Sequence, residues 1–412
     1  VHGWLLQQMQ YNQYTQVPEQ RELTFFRFLV TKNEHLYVLP RLEALLKRCW
    51  DLNLFELLPE VIELTMQAGY ACEALSVEER TDLYKQLQEA SQLLHTLYQI
   101  KQILHYLYLH IDDYTAKINS IRRLIKNYKA YPRLELLYRY IAFCTGAHRK
   151  DLVDRTSGAM MRHLNAYYKL KKQHPDMPIK TVEPFHRAKN DAFFYDKEAV
   201  FWYHKEQLSK CILALKKRQT IIQKTPNLIH SISSHNLHNA IYFCTQAKDY
   251  ETALDYVREL ERYQDNNPSN LLEVSYSAYE MIIYIATYPR RKYPAPLQLI
   301  ETVRYFLEEK APPQSAWVSM TLIEFALLYK QYPTALKYLD HPYYTQYIKH
   351  YAAHPMYTTE MVKAVVGNDY PALLKVIEDL RQQLATTPEG KLQFHYETTL
   401  QIANCCLKRL SK

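Results

Sequence analysis

Four short segments of this 412-residue sequence can be laid over one another: Lys248-Asp-Tyr-Glu-Thr-Ala-Leu-Asp-Tyr-Val257, Arg291-Lys-Tyr-Pro-Ala-Pro-Leu-Gln-Leu-Ile300, Lys330-Gln-Tyr-Pro-Thr-Ala-Leu-Lys-Tyr-Leu339 and Asn368-Asp-Tyr-Pro-Ala-Leu-Leu-Lys-Val-Ile377. They recur every 38 to 43 residues. A fixed period of that size belongs to repeat architectures, in which one unit cannot bury its apolar face alone and must stack on its neighbours. Glycine then chooses the type of unit. The chain has only six glycines, far below the roughly 7 % of average usage, too few for turn-rich sheets or glycine-lined phosphate loops. Long stretches rich in Leu, Gln, Lys, Glu and Ala favour helix instead, so the class is all-α.

Read in order, residues 1–75 form short helices, at Val1 to about Gln13, Glu19 to about Leu29, Pro40 to about Leu52 and Leu54 to about Ala68, with Gly69 as a stop. Ser76-Val-Glu-Glu79 is a capping-box pattern, which starts a helix by exchanging side-chain and backbone bonds between its first and fourth residues. Apolar residues then recur in steps of three and four from Leu83 to Ile111, predicting a long helix, with a second helix from about Asp112 to Ala130 turning back along it. Helices continue over 132–172. The prolines in Lys172–Pro184 make a connecting loop, and one helix from about Asp196 to Lys224 follows, closed by Pro226. The predicted divisions are 1–75 for the short helices, 76–225 for long helices with a basic surface and 226–412 for the repeats.

The four similar segments resemble the inter-helix junction of tetratricopeptide (TPR) repeats, with Tyr250, Tyr293, Tyr332 and Tyr370 as the aromatic and Ala253 and Ala335 as the small residue three positions on; Pro296 and Leu373 replace it in the other two copies. An apolar helix precedes each junction, as in Leu322-Ile-Glu-Phe-Ala-Leu-Leu328. The period exceeds the 34 residues of a standard unit, so the resemblance is to a TPR-like variant, over about 230 to 385. A fainter copy begins at Lys129-Ala-Tyr-Pro132. The chain as a whole resembles bacterial helical-repeat proteins. The resemblance implies an α-solenoid of antiparallel helix pairs, here with a longer helical hairpin in the N-terminal half, and a groove that binds a protein or peptide partner.

Charge is unevenly spread. Residues 101–230 hold 25 Lys and Arg against 11 Asp and Glu, whereas the rest of the chain holds 26 against 32. Arg122, Lys126 and Lys129 follow one another at helical spacing beside Tyr128 and Tyr131, Lys169, Lys171 and Lys172 follow Tyr167-Tyr168, and Lys216-Lys217-Arg218 makes a third cluster. Such a middle segment reads as a solvated face, as a surface for an acidic protein, or as a nucleic-acid-binding surface. The first six of these residues are the candidate partner-binding set.

No catalytic pattern emerges. His230, His235 and His238 are the closest set of histidines and lack a local carboxylate or thiolate, HExxH is absent, and there is no GxSxG, Walker A or GxGxxG element. Seven cysteines without a CxxC pair favour a reduced, cytoplasmic setting, with Cys405-Cys406 as packing residues. The 37 tyrosines suit seams between helices, where a ring is covered and a hydroxyl stays wet. No run of apolar residues is long enough to span a membrane. Val1 opens inside a helical stretch, so the natural start is expected upstream. The sequence thus predicts a noncatalytic scaffold without cofactor or metal, with a nucleic-acid-binding regulator as the alternative.

Overall fold

The computed structural model describes residues 18–110, 113–147, 149–179, 184–225, 228, 234–266, 270–288, 296–310, 316–342, 344–345, 354–387 and 391–410. Among them are eighteen α-helices and no strand. Cα packing divides the chain into two compact units, Val1–Gln207 with Leu213–Leu228, and Leu208–Ile212 with Ile229–Lys412. No described helix is long and apolar enough to cross a membrane.

The first unit opens with α1 (Pro18–Thr31), α2 (His35–Asp51) and α3 (Leu58–Ala71), then α4 (Val77–Leu109) and α5 (Tyr114–Ile125), which form the expected hairpin. The Ser76 capping box is present in both directions: Glu79 N donates to Ser76 Oγ at 3.2 Å and Ser76 N donates to Glu79 Oε2 at 2.7 Å. Helices α6 (Pro132–Ala147), α7 (Lys150–Gln173) and α8 (Pro184–His204) follow, and α9 (Leu208–Lys224) gives its first residues to the second unit and its remainder to the first.

Several boundaries differ from the sequence reading. Helix α2 starts at His35 and carries Pro40 inside it, because its buried stripe of Val38, Leu39, Leu42, Leu45, Leu46 and Cys49 runs past the proline. Helix α5 ends at Ile125, which leaves Lys129 in the following turn rather than on the same helix. The single helix expected over 196–224 is two, broken at Glu206, whose φ is 57°. Gly69 does not stop α3 but lies inside it, with Leu75 packed where its Cβ would stand. The expected helix at Val1 to Gln13 lies outside the described residues.

One turn ends seven of these helices. Asn33, Asn53, Glu73, Glu206, Lys248, Lys330 and Asn368 all have φ between 52° and 63°. In each case the N–H of that residue bonds a carbonyl three back and the next N–H bonds a carbonyl five back, as in Lys248 N to Thr245 O at 3.0 Å and Asp249 N to Cys244 O at 2.9 Å. This is the Schellman motif, which satisfies the last carbonyls of a helix and is usually closed by glycine. None of the seven is glycine. Asn33, Asn53 and Glu73 stand twenty residues apart, so a spacing of about forty per helix pair is present at the start of the chain as well as in its C-terminal half.

The second unit contains α10 (Ser234–Gln246), α11 (Tyr250–Asn266), α12 (Asn270–Thr287), α13 (Pro296–Tyr305, continued by a π-helical turn at Phe306–Lys310), α14 (Ala316–Leu328), α15 (Tyr332–Leu339), α16 (His354–Val366), α17 (Tyr370–Thr386) and α18 (Lys391–Leu410). Three repeated junctions are the α10–α11, α14–α15 and α16–α17 turns, each with its left-handed residue two before the tyrosine that opens the next helix. Asp249 and Asp369 cap α11 and α17, accepting from Thr252 N at 3.3 Å and Ala372 N at 2.9 Å. Ala253, Ala335 and Leu373, three past the tyrosines, are fully buried. The fourth junction, at Tyr293, lies outside the described residues. The core of this unit gathers Met281, Ile285, Val303, Phe325, Ala335, Tyr338, Val362 and Leu380 with Ile402, Ala403 and Cys406 of the last helix.

Candidate functional site

The basic middle of the sequence separates, in the structure, into cations that hold the fold and cations left at the surface. Arg133 is fully buried at the start of α6 and donates to Glu56 Oε2 at 2.5 Å, Glu56 Oε1 at 2.7 Å and Asn53 O at 2.9 Å. Burial pushes the Glu56 carboxyl up, but Arg133, with Lys101 behind it, outweighs burial and holds it below the usual carboxylate range. Arg218, the last member of a basic cluster in sequence, is also fully buried and lies 2.8 Å from Asp196. Its neighbour Lys217 is tucked against the Tyr168 ring, 4.8 Å from the centroid, and donates to the Tyr168 hydroxyl at 3.2 Å. That hydroxyl donates to Glu198, which also accepts from Trp202 Nε1 at 3.2 Å.

A signal for these buried cations was present in the sequence. Cys211, Leu215, Arg218 and Ile222 follow a four-three-four spacing and are all buried, so Arg218 occupies the core stripe of α9.

The six candidate partner-binding residues are not equivalent. Arg122 is exposed on α5, Lys126 closes that helix and Lys129 stands in the turn after it. Lys169, Lys171 and Lys172 lie at the end of α7, and Lys171 reaches Asp191 at 3.9 Å. Burial lowers the Lys171 pKa, partly offset by Asp191. Arg122 contributes to the electrostatics of His163 on α7. His163 of α7 accepts from Arg139 Nη1 through Nδ1 at 3.1 Å, and burial, then the charges of Arg139, Arg162 and Arg122, push its pKa down to about 4.

The long helix α4 changes electrostatic character along its length. Near its start a cleft of about 630 Å³ faces α2, floored by Leu46, Trp50 and Leu83 and rimmed by Glu43, Glu78 and Asp82. Near its end an open groove of about 730 Å³ faces α5 and is lined by Gln99, Gln102, Tyr106, Lys117, Ser120 and Arg123, without a carboxylate.

In the second unit the last described helix is α18. This last helix packs on α12, α14, α16 and α17. Its polar side chains reach the C-terminal ends of two of those helices, where carbonyls lack intrahelical partners. Gln401 Nε2 donates to Ile285 O at 3.2 Å and Tyr288 O at 2.6 Å, closing α12. Arg409 donates to Leu327 O at 3.3 Å and Leu328 O at 2.7 Å, closing α14. Glu397 pairs with Lys248 of the first junction at 2.9 Å. Deeper in, Thr399 and Thr358 donate to Glu324 Oε1 at 2.9 Å and 3.0 Å. Beside α18 a cleft of about 810 Å³ is lined by Lys248, Tyr250, Thr287, Tyr288, Gln401 and Lys408.

The sequence reading missed Glu324 and α18 as a site. Glu324 is the only charged residue of Ala316–Leu328, which marks it for attention, but its partners are 34 and 75 residues away. Among the described residues no group of His, Cys, Asp and Glu is arranged to hold a metal. Cys406 is buried and Cys405 half-buried, and burial pushes the Cys406 thiol up to about 11, as befits packing residues. No family model, no curated protein and no solved structure matches the chain.

Proposed function

We propose that the protein is a noncatalytic helical-repeat scaffold whose second unit holds a helical segment of a protein partner on the face of α12, α14 and α16, and that α18 is the internal occupant of that face. The observation that carries this reading is the anchoring of α18, whose Gln401 and Arg409 satisfy the ends of two receiving helices while Thr399 satisfies a buried carboxyl in the second of them. A helix held mainly by its side chains on the ends and faces of other helices makes the contacts a separate amphipathic helix makes in a groove. The recurrence of one junction at Lys248, Lys330 and Asn368 supports the repeat part of the reading, and the family resemblance supports the partner class.

The test uses a labelled peptide copying Lys391–Leu410 and the whole protein. Intact protein should not take up the peptide, because its own helix has the advantage of being tethered. The variant Thr399→Val, Gln401→Ala, Arg409→Ala should take it up in fluorescence anisotropy, with a Kd of roughly 1 to 10 µM. A variant that keeps its helical circular dichroism and still ignores the peptide removes the reading.

A further inference from the structure

The open groove between α4 and α5 lies in the first unit. Its polar lining is two cations, two amides and one hydroxyl, from Lys117, Arg123, Gln99, Gln102 and Ser120, beside the apolar Ile103 and Leu124 and the Tyr106 ring. The Lys117 Nζ is 4.3 Å from the centroid of the Tyr106 ring, which fixes the ammonium at the groove wall. The nearby carboxylate of Asp113 already accepts from the Tyr106 hydroxyl at 2.7 Å. Arg122, Arg123, Lys126 and Lys129 form no ion pair among the described residues. They are unlike Arg133 and Arg218, whose charges are spent inside the fold. Tyr98, one helical turn before Gln102 on α4, is 52 % exposed, with Lys101 Nζ 5.7 Å from its ring centroid.

These groups divide into a phosphate-directed half and a base-directed half. Unpaired Lys and Arg neutralise phosphodiesters without reading sequence. An exposed ring stacks a base, and glutamine amides donate to and accept from base edges. A groove of this volume between two helices has the size of a small-ligand pocket and admits one strand rather than a duplex. An acidic peptide would use the cations and leave the ring and the amides idle.

We infer that this groove binds single-stranded nucleic acid, with Lys117, Arg123, Lys126 and Lys129 on the phosphates and Tyr98 stacking a base. The observation on which this rests is an open groove lined without a carboxylate by Lys117 and Arg123, with Lys126 and Lys129 following Arg123 in the chain and the exposed Tyr98 next to the lining residue Gln99 on α4.

The test is fluorescence anisotropy of the whole protein with labelled oligothymidylate and oligouridylate about twelve nucleotides long. Binding is expected at about 50 mM salt, with a log–log salt slope of roughly −2 to −3 for three to four phosphates on a single strand. The pair Lys117→Glu, Arg123→Glu should weaken it about 100-fold and Tyr98→Ala about tenfold. Lys169→Glu with Lys172→Glu, at the end of α7, should change it less than about twofold. Circular dichroism checks folding, and Lys117→Gln with Arg123→Gln replaces the charge reversal if that variant does not fold. No binding at low salt overturns the inference. So does an equal loss from both pairs, which would mean bulk charge alone, and so does polyglutamate competing as well as the oligonucleotide while Tyr98→Ala has no effect, which would mean an acidic-peptide surface.

Discussion

The hydroxyl of Thr399 in α18 donates to Glu324 Oε1 in α14 at 2.9 Å, joining residues 75 positions apart inside the core of the second unit. Thr358 of α16 donates to the same oxygen. One buried carboxyl therefore ties three helices together. Burial pushes its pKa up to about 7, against the smaller downward pull of the two hydroxyls. A group that is easily ionised in water is thus held near the point of losing its proton at neutral pH.

The sign of the resulting pH dependence follows from linkage. The folded pKa lies above the unfolded one, so the stabilisation from keeping the proton is complete below about pH 4.5 and is lost as pH rises through about 7. For this group the second unit should be about 3 kcal/mol less stable at pH 8 than at pH 4.5. Glu324→Gln keeps the shape and an acceptor for both threonines but carries no charge. It should raise stability at pH 8 and match the parent near pH 5. Urea midpoints measured from pH 5 to 8 check this, and parallel slopes for parent and variant would show that Glu324 is not the titrating group.

The seven left-handed turns make a second expectation. A residue with a Cβ costs about 1–2 kcal/mol in this conformation, and asparagine bears the cost better than lysine or glutamate. Against this, glycine loses more backbone freedom on folding. The net gain for Lys248→Gly, Lys330→Gly or Glu206→Gly should be about 0.5–1 kcal/mol each, and smaller for Asn33→Gly or Asn368→Gly. Denaturant midpoints distinguish the two groups, and a loss at both lysines would mean that their side chains hold the turn.

Two helical glycines should respond with opposite signs to the same change. At Gly69 the Leu75 side chain occupies the place of a Cβ, and Leu75 is itself buried. Gly69→Ala should therefore cost about 1–3 kcal/mol through overpacking. At Gly158 the nearest neighbour of a Cβ is Arg162 Nη1 at 3.8 Å, an ordinary contact. Gly158→Ala should stabilise α7 by about 0.5–1 kcal/mol through helix propensity. Thermal melts of the two variants check the pair, and equal shifts would refute the packing account of Gly69.

What the sequence made legible was local. The capping box at Ser76, the hairpin after it and the junction tyrosines all act within a few residues, so spacing and residue type reveal them. The break at Glu206 was hidden because glutamate does not advertise a left-handed turn, and Gly69 misled because a helical glycine serves close approach as well as termination. Arg218 reads like its neighbours Lys216 and Lys217 until its place on the apolar stripe of α9 is counted. The docking of α18 was the least legible, since Gln401 and Arg409 find carbonyls 113 and 81 residues away. Such pairs leave no local pattern.

Arg133 offers the sharpest test of how the first unit is held. It lies at the start of α6 with no exposed surface, yet it contacts the turn before α3 through Asn53 O and Glu56 and reaches Ile179 O at 3.4 Å beyond α7. Arg133→Ala removes the donors and leaves the half-buried Glu56 with Lys101, at 3.5 Å, as its remaining cation. A buried pair broken on one side costs about 3–5 kcal/mol, because the remaining charge and carbonyls lose partners that water cannot replace. Glu56→Gln should cost less, since the amide oxygen still accepts from the guanidinium. Chemical denaturation of both single variants and the double variant gives the coupling, expected to exceed about 1.5 kcal/mol for groups in one network. Additive losses would mean that Arg133 stabilises the unit through its backbone carbonyl partners rather than through Glu56.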